Sequence, residues 1–98
     1  MTPPGLTDVF ARSDRIVGRR IAGEYVLVPL IGRGMDADFI YTLNHVAAAM
    51  WEALDGKAAG SDVVRHVVEQ FEVDESRAAR DYLDLMATLE SIDAVRRV

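Results

Sequence analysis

Apolar residues recur at a spacing of two in the first half of the chain and at spacings of three and four in the second. Alternation places successive side chains on opposite faces of a strand, whereas a three-four rhythm gathers them on one side of a helix. Residues 16–21 read as a first strand, and an Ala22-Gly23-Glu24 turn joins it to Tyr25-Val26-Leu27-Val28-Pro29-Leu30, a run rich in β-branched and aromatic residues. A third strand is predicted over 39–43, with Phe39, Tyr41 and Leu43 on one face and Ile40 and Thr42 on the other. Between the last two runs, residues 31–38 carry Gly32, Gly34, Asp36 and Asp38 and read as a solvated hairpin tip. Pro29 lacks a backbone donor, which predicts a position at a sheet edge or beside a bulge.

From Asn44 onward the rhythm is helical. Asn44 is placed to cap a helix carrying Val46, Ala47, Met50, Trp51 and Leu54, and Asp55-Gly56 is expected to end it. Ser61 is the next candidate cap, before Val63, Val64, Val67, Val68 and Phe71. Asp74 and Glu75 open the longest element, in which Ala78, Tyr82, Leu85, Leu89 and Ile92 recur at four, three, four and three. Residues 1–14, with Pro3-Pro4-Gly5 and a short apolar trio at Val9, Phe10 and Ala11, read as an N-terminal arm preceding one domain over 15–98. Ala94, Val95 and Val98 read as a short extended tail. The pattern is thus an α+β fold, three strands followed by three helices.

Composition narrows the choice of function. The chain has 98 residues, half of them apolar, enough for one core. Cysteine is absent, and neither a secretory-type leader nor an apolar run of about 18 residues occurs, which predicts a soluble cytoplasmic protein. Sixteen acids against eleven bases give a net charge of −5, which opposes attraction to phosphate backbones, so nucleic acid and membrane are not expected partners.

No catalytic constellation is signalled. His45 and His66 fall on different predicted helices without neighbouring acids at ligand spacing, and read as surface or boundary residues. Asp36 and Asp38 are followed by Phe39-Ile40-Tyr41, which offers no further oxygen ligands, so they read as turn acids rather than a metal loop. Gly32-Arg33-Gly34 lacks the further glycine and lysine of a phosphate loop. No cofactor is expected, and Trp51 is expected in the core. Ala79, Leu83 and Met86 widen the apolar face of the third helix. If that stripe is spare, it forms a groove beside a strand, where an extended peptide can add to the sheet edge. The alternative is that the second helix covers it.

The order Gly23-Glu24 with Val26-Leu27, Tyr41 with Leu43-Asn44, Ala47, Trp51-Glu52, Leu54-Asp55-Gly56, the Val63 to Phe71 helix, and Asp81 with Leu85 and Leu89 resembles the pyrroloquinoline quinone synthesis protein D (PqqD) family over roughly residues 15–95. The resemblance implies a winged helix-turn-helix-like fold. It also implies a non-catalytic module that binds the leader of a ribosomally made precursor peptide as an added strand between the third strand and third helix. The leader would then be presented to a modifying enzyme such as a radical S-adenosylmethionine enzyme. Carried onto this chain, the implied peptide-binding residues are Phe39, Ile40, Tyr41, Thr42 and Leu43 on the strand and Arg77, Ala79, Arg80, Leu83 and Met86 on the helix, with the arginines meeting acidic residues at the rim. The Pro29-containing strand, the long hairpin tip and the N-terminal segment depart from the quinone-pathway members, so another peptide product stays open.

Two other readings use the same fold. A winged-helix DNA-binding regulator is disfavoured by Glu75, Asp81, Asp84 and Glu90 on the third helix against Arg77 and Arg80. A structural module could instead pair its spare stripe with a second copy as a homodimer.

Overall fold

The computed structural model describes residues 2–30 and 41–98. The expected hairpin tip over 31–38, together with Phe39 and Ile40, lies outside the described residues. In chain order the elements are β1 (Val9–Arg12), β2 (Ile16–Ile21), β3 (Glu24–Pro29), β4 (Tyr41–Leu43), α1 (His45–Glu52), β5 (Asp55–Ala59), α2 (Gly60–Phe71), α3 (Glu75–Ser91) and β6 (Val95–Arg97).

The predicted sheet is present as β2-β3-β4, all antiparallel. Its first hairpin closes through Ala22 and Gly23, both at positive φ (53° and 84°), as a two-residue primed turn demands. On its β2 side Pro29 pairs without a bulge, and the residues that would face its other side lie outside the described residues. It is the last residue of β3, opposite Ile16, and the ladder to β2 runs on past it through the Leu30 amide, which donates to the Arg15 carbonyl at 2.8 Å.

A second antiparallel sheet, β5-β1-β6, was not foreseen. It corrects three expectations. The segment read as an arm supplies β1, whose Phe10 is completely buried, so residues 9–12 belong to the domain core. The expected tail is β6, with Val95 opposite Arg12, and Ala94 and Val95 are buried. Asp55-Gly56 does not stop α1, which ends at Glu52 with Ala53 as its cap. Instead Gly56, at φ +79°, and the Asp55 carboxylate, which accepts from the Lys57 and Ala58 amides at 2.9 Å each, shape an irregular start to β5 opposite Ala11. Those same amide donors hold the Asp55 carboxyl below the usual range.

Local chemistry explains the helix starts. The Asn44 side chain accepts from the Ala47 amide at 2.8 Å, and Asp74 accepts from the Arg77 amide at 3.1 Å, as capping requires. Ser61 is not a cap. The helix begins one residue earlier, at Gly60, and the Asp62 carboxylate reaches back to the Ala59 amide at 3.2 Å. Gly60 is demanded by packing, because a Cβ there would sit 2.6 Å from Cε2 of Tyr82 and 3.2 Å from the Leu6 backbone.

The core is continuous between the sheets and helices. Trp51, Tyr82, Phe10, Leu27, Met50, Leu54, Met86 and Leu89 are its largest fully buried members. Trp51 is in the core as expected, and its indole lies against Gly18 of β2, where a Cβ would be 2.8 Å from Nε1. Trp51→Ala should therefore cost about 3 to 5 kcal/mol, since truncation of a buried aromatic loses transfer energy and leaves a cavity. A denaturant melt showing a loss under about 1 kcal/mol would place the indole outside the core.

Tyr82 carries the converse prediction. Its ring is completely buried, yet its hydroxyl has no hydrogen-bond partner among the described residues. Burial pushes the phenol up to about 12, with the Asp8 charge adding to the effect. Removing an orphaned hydroxyl should not destabilise, so Tyr82→Phe is expected to be neutral or to gain about 1 kcal/mol. Between pH 10 and about 12 the unfolded chain gives up this proton while the folded chain keeps it, so stability should fall with rising pH. Melts of both proteins across that window decide the matter: the substitution should remove part of the fall.

Candidate functional site

β4 pairs only with β3 among the described residues, so no described strand covers its other edge. A groove runs beside it, walled on the far side by α3 and floored by α1. The capping Asn44 fixes the angle at which α1 leaves β4, and this turns Val46, Ala47 and Met50 toward the groove. Leu43, Met50 and Leu85 form the buried part of the floor, while Val46 and Ala47 are half-buried. Tyr41 and Thr42 line the strand side, and Asp81, Asp84 and Thr88 line the helix side.

Of the residues predicted for peptide binding, Tyr41, Thr42 and Leu43 line this groove; Phe39 and Ile40 lie outside the described residues. The helix residues fall elsewhere. Asp81, Asp84, Leu85 and Thr88 share one stripe of α3, whereas Ala79, Leu83 and Met86 share another roughly half a turn round the helix. Met86 is completely buried, and Ala79 and Leu83 are half-buried against the core. The stripe is therefore not spare, because α2 packs along α3. Arg80 is exposed and does not line the groove. Arg77 is exposed and lies 3.9 Å from Asp81 one turn on, an ion pair too solvated to hold either side chain firmly.

The helix wall of the groove is thus acidic rather than basic. Sequence reasoning named Leu85 as core and missed the groove role of Asp81, Asp84, Thr88, Val46, Ala47 and Met50. The signal was available in part: the aspartates flank the core stripe at helical spacing, but which flank meets β4 is set by the tertiary crossing of α3.

His45 and His66 are exposed, as expected. Among the described residues no group of three or more His, Asp or Glu side chains is disposed to hold a metal, and no helix is long and apolar enough to cross a membrane.

A mixed α+β domain of two small antiparallel sheets and three helices, with a groove between β4 and its last helix, defines the class. The chain belongs to the PqqD family: the model described as coenzyme PQQ synthesis protein D matches residues 24–95. Three solved structures share the fold. TbiB1, solved in complex with the TbiA(beta) leader peptide, is 22% identical, with 88% of this chain and 94% of that chain covered and a TM-score of 0.69. A lasso peptide synthetase B1 complexed with the leader peptide is 21% identical, covering 89% and 96%, with a TM-score of 0.70. The PqqD truncation of Methylobacterium extorquens PqqCD, described as a functional and stand-alone recognition element for ribosomally synthesized and post-translationally modified peptides, is 18% identical, covering 98% and 97%, with a TM-score of 0.77. No curated protein matches the chain.

The two stripes of α3 make separable predictions. Met86→Asp would bury an unpaired charge and should abolish cooperative folding. Leu83→Asp, at a half-buried position, should leave a folded protein that is weaker by about 1 to 2 kcal/mol. Thermal melts followed by circular dichroism read both, and a near-normal melt for Met86→Asp would remove it from the core.

Proposed function

We propose that the protein is a non-catalytic recognition module that binds the leader of a ribosomally made precursor peptide and presents it to a modifying enzyme, a radical S-adenosylmethionine enzyme being one such partner. The leader adds as a strand to β4 at Tyr41–Leu43. Main-chain hydrogen bonds along the edge supply sequence-tolerant affinity, and the floor formed by Val46, Ala47, Met50 and Leu85 accepts its apolar side chains.

One observation carries this reading: the groove in a PqqD-family chain lies directly beside the edge of β4 that no described strand covers. Its fold neighbours TbiB1 and the lasso peptide synthetase B1 were solved with leader peptides bound, which supports the same use here. The site offers an edge, a floor and a rim, which suffice for binding without any catalytic group.

The test is titration of leader segments of ribosomally made precursor peptides into the protein, followed by amide resonances and hydrogen exchange. Edge amides of β4 should become protected, and shifts should concentrate on β4, α1 and the Asp81 stripe of α3. Ala47→Trp, which fills the floor at an accessible helix position, should weaken binding at least about tenfold. Undiminished binding by a well-folded Ala47→Trp protein, or shifts confined to another face, would sink the groove as the site.

A further inference from the structure

Resting on that peptide-binding reading, the charge of the groove specifies the occupant further. Asp81 and Asp84 both line the helix wall. Along an α-helix, residues three apart are separated by a rise of about 4.5 Å, less than the roughly 6.7 Å between same-face residues of an extended strand. Two carboxylates at that spacing lie opposite one groove-facing side chain of a bound strand rather than opposite two in succession. Asp81 is partly met by the exposed Arg77 at 3.9 Å, and Asp84 makes no ion pair among the described residues. Directly below them the floor is apolar, at Leu85 and Met50.

We propose that Asp81 and Asp84 are specificity-determining residues that select an extended peptide carrying a single Lys or Arg among otherwise apolar groove-facing residues. The cation sits against the aspartate pair, and the residues two places before and after it descend to the floor, because alternate side chains of a strand share a face. Arginine fits best, since its planar fork reaches two carboxylate acceptors. An acidic residue at the same place meets like charge beside a low-dielectric floor and is rejected. The expectation drawn from sequence, arginines on the helix meeting acidic peptide residues, is reversed.

The experiment is selection of random 12-residue peptides displayed on phage against three proteins: the native chain, the Asp81→Asn/Asp84→Asn variant, and a Glu69→Gln/Glu75→Gln control that removes equal charge outside the groove. All four positions are exposed, so the melts should be unchanged. Binders to the native chain and to the control should share one Lys or Arg flanked at two residues by apolar side chains, and the groove variant should lose that preference. Titration of the best binder with Arg, Ala or Glu at that position should rank Arg first by about five- to tenfold over Ala, in a salt-sensitive manner. Basic residues absent from the native-chain binders, or equally enriched with the groove variant, would overturn the specificity while leaving peptide binding intact. Loss of the preference with the control as well would trace it to net charge and overturn it too. Failure of all three proteins to select any peptide would bring down the peptide-binding reading itself.

Discussion

The contact between Gly18, Tyr25 and Trp51 is the constraint on which the rest depends. At Gly18 the sheet presents no side chain, and the Tyr25 ring and Trp51 indole occupy the space that a Cβ would need, 2.7 Å from Cε1 of Tyr25 and 2.8 Å from Nε1 of Trp51. Glycine inside a strand costs conformational entropy and packs nothing itself, so it persists where another group must approach closely. Here that group is α1. The Tyr25 hydroxyl donates to Glu52 at 3.1 Å, adding a polar tie at the end of the same helix. Burial and the neighbouring Glu52 both raise the Tyr25 phenol, so it stays protonated as the donor. With α1 pinned to the sheet at Trp51 and capped by Asn44 at its start, the direction in which Val46, Ala47 and Met50 face is fixed. The groove floor follows from that.

The second sheet performs the corresponding task for α3. Arg97 of β6 donates to Glu90 of α3 through Nε at 2.8 Å, lies 3.4 Å from Asp8, bonds the Thr2 hydroxyl at 3.0 Å, and stacks over the Phe10 ring at 5.7 Å. The chain termini and the end of α3 thus converge on one guanidinium whose planar fork can serve several acceptors together. Its charge is favoured chiefly by the bond to Glu90. β1 brings Phe10 beneath this cluster, so the segment that composition marks as an arm becomes a wall of the core. α3 is held at its C-terminal end by this sheet and along its length by α2. Its Asp81–Thr88 stripe and β4 consequently line the two sides of one groove.

How much of this was readable in the chain follows from the range of the interactions involved. The β2-β3-β4 sheet, three helices, two caps at Asn44 and Asp74 and the core position of Trp51 rest on local periodicity and short-range hydrogen bonds, which the sequence carries directly. The second sheet was illegible because its strands are four, five and three residues long and come from the start, middle and end of the chain. Elements that short have no period to detect, and their pairing is bought by long-range closure. Asp55-Gly56 misled for a related reason: a carboxylate binding its own downstream amides and a positive-φ glycine serve equally at a helix end and at an irregular strand start. In the groove beside β4, alternation made the strand that carries Tyr41, Thr42 and Leu43 legible. The stripe of α3 that lines the groove was not legible, because a 3.6-residue period shows that a face is apolar, but not which of its two flanks turns toward α2 and which toward β4.

An open strand edge is also a hazard, because it will pair with any extended chain, including another copy of itself. β4 limits that hazard by lying beside a wall with two carboxylates. A second copy approaching edge to edge would bring its own Asp81 and Asp84 toward the same space, where like charges near an apolar floor repel more strongly than in water. Under the proposed specificity the acids filter in both directions, opposing self-pairing and acidic strands while accepting a cationic one. Affinity from the backbone alone would be indiscriminate, and apolar pockets alone would distinguish partners by size more than by kind. Charge at the rim supplies the missing discrimination without altering the fold, since both aspartates are exposed and contribute nothing to the core that holds the groove open.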